Sequence, residues 1–369
     1  MAVGDIMLSI NRGTGRMIRQ KGPNYLFEKI QPFFNQADLL FGNLENPIAD
    51  AGVPCTNREL HVTFRAESRS AYALKHAGFN VLSAANNHIT DYGEYGLRST
   101  AELLGRVGIE FAGLYAPSRH PGYTVIEKRG IRVAFLAYNA PALPRARPKG
   151  PHSWRVKKFS FSNIRRDLAH LIRSIKPDII IVSCHWGQSY TTYPIPFQME
   201  IARRMIDQGA HIILGHGPHL IQGTEEYKHG LIVYCLGDFI FDEPYPETKE
   251  CFILSCTLSS DGVHDTRCVP VIRNEEFQPV LAEAARKQNI LKKIALLSEE
   301  YKKAGWINNP QMDPTEKFFI KCVKRGFTYR NFPDAMRVFP TRFLLAHGPS
   351  ILLSKSWAKA RRSFRSEVH

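Results

Sequence analysis

The 369-residue sequence has no run of about 18 uncharged apolar residues, which argues against a transmembrane helix. Its first ten residues lack both a basic region and a cleavage-like site, so they do not predict a signal peptide. The seven cysteines form no Cys-x-x-Cys pair, and their odd number argues against a disulfide framework or a structural zinc site. These absences favour a globular protein of a reducing compartment, and we expect it in the cytoplasm.

Positive charge is abundant and unevenly placed. The chain has 49 Lys and Arg against 34 Asp and Glu, a formal net charge of +15. Residues 270–369 hold 19 basic and 9 acidic residues, so this segment carries ten of the fifteen excess charges. A basic surface is consistent with a role in solubility alone, or with binding to a membrane, a nucleic acid or an anionic polymer. No recognised nucleic-acid motif is present, which argues against a nucleic acid.

The first 269 residues alternate short apolar runs with amphipathic segments, a pattern that predicts an α/β fold. The apolar runs predict strands at residues 3–10, 39–42, 81–84, 133–138, 179–183, 212–214, 231–236, 252–259 and 268–272. The periodic segments predict helices at residues 25–35, 68–77, 96–107, 161–175, 197–208 and 275–304. We expect a first domain over residues 1–272 and a basic, mainly helical extension over residues 273–369.

The end of the extension combines apolar and basic residues. Residues 350–365 place isoleucine, leucine, tryptophan and phenylalanine among five basic side chains, a composition typical of interfacial membrane binding. The alternative is a helix packed on the main domain with a solvated basic face. We therefore expect either a peripheral membrane contact or an internal packing role for this tail.

Polar side chains that can bind a metal follow one predicted strand after another. The carboxyl ends of parallel strands meet at one edge of a sheet, so these side chains are expected to lie together. Each one also has a structural alternative as a cap or turn residue, although a buried, unpaired Asp5 within an apolar strand is costly. Imidazole nitrogen with carboxylate oxygen favours a divalent transition metal, Mn, Fe or Zn, as one or two ions. The residues are Asp5, Asn43, Glu45, Asn86, Asn87, His88, Asp91, His185, His216 and His219.

The same motifs resemble, in order and spacing over residues 1–260, those of the CapA family. These are capsule-synthesis proteins associated with poly-γ-glutamate and built on a metallophosphoesterase-like fold. The matching motifs are Gly4-Asp5, Gly42-Asn43-Leu44-Glu45-Asn46, Asn86-Asn87-His88, His185-Trp186-Gly187, Gly215-His216-Gly217-Pro218-His219 and Gly237-Asp238-Phe239.

The resemblance implies a four-layer α/β/β/α sandwich and assigns roles at the site. Glu45 resembles a bridging carboxylate, and His88 resembles a general acid or electrostatic stabiliser. Asp91 either orients His88 or caps the following helix, and Trp186 either walls the pocket or packs in the core. The implied metal ligands are Asp5, Glu45, Asn87, His185 and one or both of His216 and His219. The residues expected around the ligands or the substrate are Asn43, Asn86, Trp186 and Asp238.

Two positions depart from the pattern that the resemblance implies. The first motif of the superfamily is Asp-x-His, but here Met7 stands two residues after Asp5. Family members often have asparagine where this chain has Asp238, which is expected to be an additional acidic group near the site or a partner of a ligand. One metal position is therefore expected to be weakened or altered.

Two functions are consistent with these residues. The first is a metal-dependent hydrolase that acts on a phosphoester or a γ-glutamyl-type substrate through a metal-activated water. The alternative is a non-catalytic component of exopolymer synthesis or export that binds an anionic polymer in the metal cleft. Both make an anionic polymer or a phosphoester the expected partner.

Overall fold

The computed structural model describes residues 1–55, 62–140, 152–243 and 245–303. The strands are β1 Ala2–Ile6, β2 Phe41–Leu44, β3 Val81–Ser83, β4 Glu110–Ala112, β5 Leu114–Tyr115, β6 Tyr123–Lys128, β7 Ile131–Asn139, β8 Arg155–Val156, β9 Ile179–His185, β10 Ile212–His216, β11 Thr224–Tyr227, β12 Gly230–Val233, β13 Asp238–Ile240, β14 Glu250–Ser259, β15 Gly262–Arg273 and β16 Pro279–Leu281. The helices are α1 Gly13–Lys21, α2 Gln31–Phe34, α3 Arg69–His76, α4 Gly93–Val107, α5 Phe161–His170, α6 Pro196–Asp207 and α7 Ala284–Lys303.

The first sheet has the strand order β16-β15-β14-β1-β2-β3-β4, and β13 also pairs with β1. The strands β1 to β4 run parallel, whereas β14 runs antiparallel to β1. Asp5 in β1 is in register with Asn43 in β2 on one side and with Asp238 in β13 on the other. This register brings the polar residues of three strands to the same edge of the sheet.

The second sheet has the order β11-β12-β10-β9-β7-β6. Its four central strands are parallel, and the two outer strands are antiparallel to their neighbours. His185 at the end of β9 is in register with His216 at the end of β10. The second sheet therefore presents two histidines at its own carboxyl edge.

The two sheets pack face to face around one apolar core, and helices cover their outer faces. Phe41 of the first sheet stacks on Phe135 of the second, with ring centroids 5.8 Å apart. Helix α4 contacts β4 in the first sheet, and Ile206 of α6 packs against Gly230 in the second. The central strand β9 is buried along its whole length, as expected for a strand covered on both faces. The predicted α/β/β/α sandwich is confirmed.

Two of the predicted helices are wrong in part, and a proline explains each difference. A helix is predicted over residues 25–35. The chain instead forms a 3-10 segment, Pro23–Phe27, and then the short helix α2. Pro32 lies in the first turn of α2, where its missing N–H is tolerated, but it cannot continue a helix from the preceding turn. The helix predicted from residue 275 begins at Ala284, because Pro279 starts the strand β16.

The compact unit extends beyond residue 272. Strand β16 pairs with β15 and so adds to the first sheet, and the unit continues to Lys302 in α7. The tail at residues 350–365, with its expected membrane contact, lies outside the described residues. Within the described part of the chain, no helix combines the length and the apolar character needed to cross a membrane.

Gly4 lies where β1 passes very close to the segment before β13. A Cβ atom at Gly4 would lie 1.8 Å from the carbonyl oxygen of Gly237, so the two backbones must separate if a side chain is added. We expect Gly4→Ala to lower the free energy of unfolding by about 1–3 kcal/mol in a urea titration, as overpacking does elsewhere. Gly105→Ala in α4 is the matched control, because its Cβ meets no atom within 4 Å. Equal unfolding midpoints for the two variants would contradict the close approach.

Candidate metal centre

Asp5 lies at the centre of the site and is fully buried. Its Oδ1 accepts a hydrogen bond from the Asn43 amide at 2.9 Å and lies 2.9 Å from His216 Nδ1. Its Oδ2 accepts a hydrogen bond from the backbone N–H of Gly217 at 3.1 Å. Burial by itself raises the pKa of Asp5, but the hydrogen bond from His216 and the charges of the neighbouring histidines outweigh it. The net pKa lies below its ordinary value, so Asp5 is ionised at neutral pH.

Asp5 belongs to two groups of buried side chains that can bind a metal. It lies with Glu45 and His185 in the first group, and with His219 and Asp238 in the second. In each group the ligand atoms are within 4.8 Å of one another. Glu45, which the resemblance implies as the bridging carboxylate, belongs to the first group, whereas Asp5 is common to both. Two metal positions that share Asp5 are therefore compatible with this arrangement.

The electrostatics of the first group favour a bound cation. Burial, together with the charges of Asp5 and Asp238, raises the pKa of Glu45 well above its ordinary value. Burial also lowers the pKa of His185 to about 3, so this imidazole is neutral and able to ligate. His185 Nε2 lies 3.8 Å from Glu45 Oε1. A divalent cation between them would remove the repulsion that the buried carboxylates exert on one another.

Several buried polar atoms of the site have no hydrogen-bond partner among the described residues. They are both carboxylate oxygens of Glu45, Oδ2 of Asp238 and Nε2 of His216. A buried polar atom without a partner costs about 1–3 kcal/mol, so such atoms are usually satisfied by a ligand or an ion. Carboxylate oxygen and imidazole nitrogen together suit a divalent transition metal such as Mn, Fe or Zn. The residues of the site fit this kind of ion.

His219 is held in an unusual backbone conformation. Its φ of 65° lies in the left-handed region, after Gly217 with φ 103° and Pro218. Such a conformation is uncommon for a residue with a side chain, and strain of this kind concentrates at functional sites. The rings of Tyr190 and Phe241 pack against the His219 imidazole, with centroids 5.4 and 5.0 Å away. The turn and the two rings together fix where this imidazole lies.

His88 and Asp91 form a pair beside the two metal-binding groups. His88 Nδ1 lies 2.8 Å from Asp91 Oδ2, which also accepts a hydrogen bond from the backbone N–H of Phe64. The helix that follows begins at Gly93, and its N-cap residue is Tyr92, whose side chain makes no capping hydrogen bond. Of the two alternatives that the sequence left open for Asp91, the structure therefore favours the orientation of His88.

The two asparagines after β3 differ in their contacts. The Asn86 amide donates to Leu44 O at 2.7 Å and lies 3.3 Å from Asn43 Oδ1. Its own side-chain oxygen accepts hydrogen bonds from the backbone N–H groups of His88 and Ile89. Asn86 thus ties the ends of β2 and β3 together. Asn87 is half-buried at the same strand end, where its role as a ligand stays a prediction.

Trp186 follows His185 but packs into the core. Its side chain is buried, its Nε1 donates to Tyr234 O at 3.1 Å, and its ring meets Phe159 edge-on. These contacts favour the packing alternative over a pocket wall. Its backbone N–H donates to His216 O at 2.9 Å and so links the two histidine-bearing strand ends.

Sequence reasoning missed several residues that contact the site. Arg273 is buried with its NH1 3.9 Å from Asp238 Oδ2, and Tyr190 and Phe64 pack on His219 and His88. The only sequence signal for Arg273 was its position, directly after the apolar run at residues 268–272. Tyr190 and Phe64 lie in segments that have no periodic pattern, so neither position had a sequence signal.

Metal binding to this centre should release protons. Burial lowers the pKa of His219, but the charge and hydrogen bond of Asp238 outweigh it and raise that pKa to about 9. His219 and Glu45, with their raised pKa values, hold protons that a metal must displace, so the apparent affinity should fall as the pH falls. Titration calorimetry with Mn²⁺ in two buffers of different ionisation enthalpy measures the protons released. Identical apparent enthalpies in the two buffers would contradict this prediction.

This fold and these residues define a class of site. It is a buried histidine–carboxylate centre at the carboxyl edge of an α/β/β/α sandwich. The family model described as "Bacterial capsule synthesis protein PGA_cap" matches residues 1–243, and the chain belongs to this family. The chain is 29% identical over 305 residues to the capsule biosynthesis protein CapA of Bacillus anthracis, an alignment that covers 79% of this chain and 71% of that protein.

Two further relatives have related names. The PGA biosynthesis protein CapA of Bacillus subtilis is 30% identical over 301 residues, covering 79% of this chain and 76% of the relative. A probable polyglutamine synthesis accessory protein of Mycobacterium tuberculosis is 30% identical over 214 residues, covering 56% of each chain. The resemblance that the motifs indicated is confirmed.

Proposed function

We propose that this chain is a metal-dependent hydrolase of capsule or poly-γ-glutamate biosynthesis that cleaves a phosphoester or a γ-glutamyl bond. The observation that carries the proposal is the sharing of Asp5 between two groups of buried ligands. Two metal positions around one carboxylate are typical of hydrolytic centres that bind an anionic group between the ions. The family membership gives the biological setting, and the site gives the chemistry.

Each part of the site has a role in this proposal. Asp5, Glu45, His185 and His219 would hold the metal, which when bound supplies an activated water and polarises the scissile group. His88 holds and delivers a proton, and Asp91 accepts the hydrogen bond from Nδ1 and so orients the imidazole. The ring of Phe64, 4.5 Å from the His88 ring, excludes water from one side of the imidazole.

A positive charge lies near this proton donor. The guanidinium carbon of Arg12 lies 4.9 Å from the centroid of the Phe64 ring, which itself packs on His88. An arginine held over an aromatic ring keeps its charge available to an anion. A phosphoester or a glutamyl carboxylate matches this charge, which supports an anionic substrate.

The second candidate function is non-catalytic binding of an anionic polymer within the same biosynthetic process. Its support is the Mycobacterium tuberculosis relative, which is named as a probable accessory protein of synthesis, together with the net charge of +15. In this case the metal centre would anchor a polymer carboxylate and His88 would carry no proton.

A turnover screen separates the two functions. Full-length protein loaded with Mn²⁺, Fe²⁺ or Zn²⁺ is tested on p-nitrophenyl phosphate, bis(p-nitrophenyl) phosphate, γ-glutamyl-p-nitroanilide and poly-γ-glutamate chains. We expect metal-dependent turnover of at least one substrate, which His185→Ala abolishes and His264→Ala, on the exposed β14–β15 hairpin, leaves unchanged. Absence of turnover on all four, combined with metal-dependent binding of poly-γ-glutamate, would instead support the binding function.

A further inference from the structure

The position two residues after Asp5 supplies no metal ligand in this chain. Met7 is buried in a small apolar cluster with Phe64 and Phe241. The same two aromatic rings pack on His88 and His219, so the cluster fills the space between those histidines. Any additional ligand for the metal position that contains His219 must therefore come from another strand.

Strand β13 brings a carboxylate to that position. Asp238 pairs in parallel register with Asp5 across β1 and β13, and its side chain is fully buried. Its carboxylate lies within 4.8 Å of the ligand atoms of Asp5 and His219. The close approach of Gly4 to Gly237 keeps the two strands together at this point.

The two oxygens of Asp238 have different surroundings. Oδ1 lies 2.9 Å from His219 Nδ1, so it fixes the orientation of that ring. Oδ2 has no hydrogen-bond partner among the described residues, and it forms a long ion pair with the buried Arg273, whose NH1 is 3.9 Å away. A buried carboxylate oxygen without a hydrogen bond is costly unless a cation satisfies it.

We propose that Asp238 is itself a metal ligand through Oδ2, and that it makes the position it shares with Asp5 and His219 rich in carboxylate, which shifts the relative preference of this position towards Mn²⁺ compared with a site built from several histidines. Two carboxylates and one imidazole form a harder ligand set than a site built from several histidines, and harder sets favour manganese. This inference rests on the proposed metal centre and extends it, because it assigns a ligating role to one oxygen of Asp238 and a relative preference among ions to the position.

The test combines metal analysis with a direct view of the coordination. Wild-type protein, Asp238→Asn, Asp238→Ala and the control Glu243→Gln are each dialysed against Mn²⁺, Zn²⁺ or both, and bound metal is measured by mass spectrometry. Glu243 is a suitable control because it lies outside both ligand groups and its carboxylate accepts the Tyr190 hydroxyl. Circular dichroism and thermal unfolding identify any variant that fails to fold, and Asp238→Asn retains the size and shape of the side chain.

We expect two Mn²⁺ per chain in the wild type and in Glu243→Gln, but one in folded Asp238→Asn. We also expect the preference of this variant to shift towards Zn²⁺ by at least about tenfold, since carboxylate ligands suit Mn²⁺ and imidazole suits Zn²⁺. In a crystal of the Mn²⁺-loaded wild type, an anomalous peak should lie at bonding distance from Asp238 Oδ2.

The outcomes separate this inference from the function on which it rests. A wild-type protein that binds no transition metal would overturn both. Two ions in the wild type with an unchanged content and preference in Asp238→Asn would overturn only the role of Asp238. An anomalous peak beyond bonding distance of both Asp238 oxygens would do the same, because it would leave Asp238 as a residue that only orients His219.

Discussion

Asp5→Asn should abolish metal binding at both positions of the centre. Asp5 is the one residue common to the two ligand groups, so its loss removes a carboxylate from each. Loss of a residue that merely orients a ligand already costs about 10–100-fold in metal affinity, and loss of the shared ligand should cost more. We therefore expect dialysed Asp5→Asn protein to contain no transition metal, as measured by mass spectrometry, and to show no metal-dependent turnover.

The control for this variant is Asp261→Asn, the same chemical change at an exposed position on the β14–β15 hairpin. It should retain the full metal content. Asparagine keeps the size of Asp5 and can still accept the hydrogen bond from the Gly217 N–H, so Asp5→Asn should keep the far-ultraviolet circular dichroism of the fold. A folded Asp5→Asn protein that retains both ions would show that Asp5 is not the shared ligand.

His88→Ala should lower kcat without changing the metal content. General acid catalysis contributes about 10²–10⁴-fold to a rate, and a loss of this size is expected when the proton donor is removed. Asp91→Asn should cause a smaller loss, because asparagine still accepts the hydrogen bond from His88 Nδ1 but lacks the charge that stabilises a protonated ring. The measurement is kcat and KM as functions of pH, on the substrate that the turnover screen identifies.

The pH profile distinguishes catalysis from simple structural support. In Asp91→Asn, the shape of the profile should differ from that of the wild type, because the His88 ring loses its anionic partner. His264→Ala, an exposed histidine outside the site, should leave the profile unchanged. Full metal content with an unchanged kcat in His88→Ala would rule out its role as the acid.

The strands that carry the site were predictable because their physical signal is local. A buried parallel strand is an apolar run, and the residue that follows it lies at the carboxyl edge wherever the strand falls in the sheet. The predicted strands around Asp5, Asn43, His185 and His216 are all present, and parallel register places Asp5 beside Asn43 in the first sheet and His185 beside His216 in the second. The convergence within each sheet therefore followed from strand order, whereas the meeting of the two strand edges depends on how the sheets pack.

The contacts across strands that are distant in sequence were not predictable in this way. Arg273 lies near Asp238 because β15 joins the sheet through β14, and no local pattern encodes that pairing. The role of Asp91 was open because a spacing of three residues suits both a helix cap and a contact with His88. The observed helix start at Gly93 and the contact between His88 and Asp91 favoured the second.

Strand β1 has a consequence for how the protein matures. It precedes the other described strands in chain order, yet it lies inside the sheet, and its partners on one side, β13 and β14, include Asp238 and Leu254. No nascent chain can complete the ligand groups until those residues have left the ribosome, and pairings of such long sequence separation form slowly. In the proposed metal centre, both ligand groups are therefore complete only late in folding. An ion bound there would be drawn from the metal pool that surrounds the folded protein.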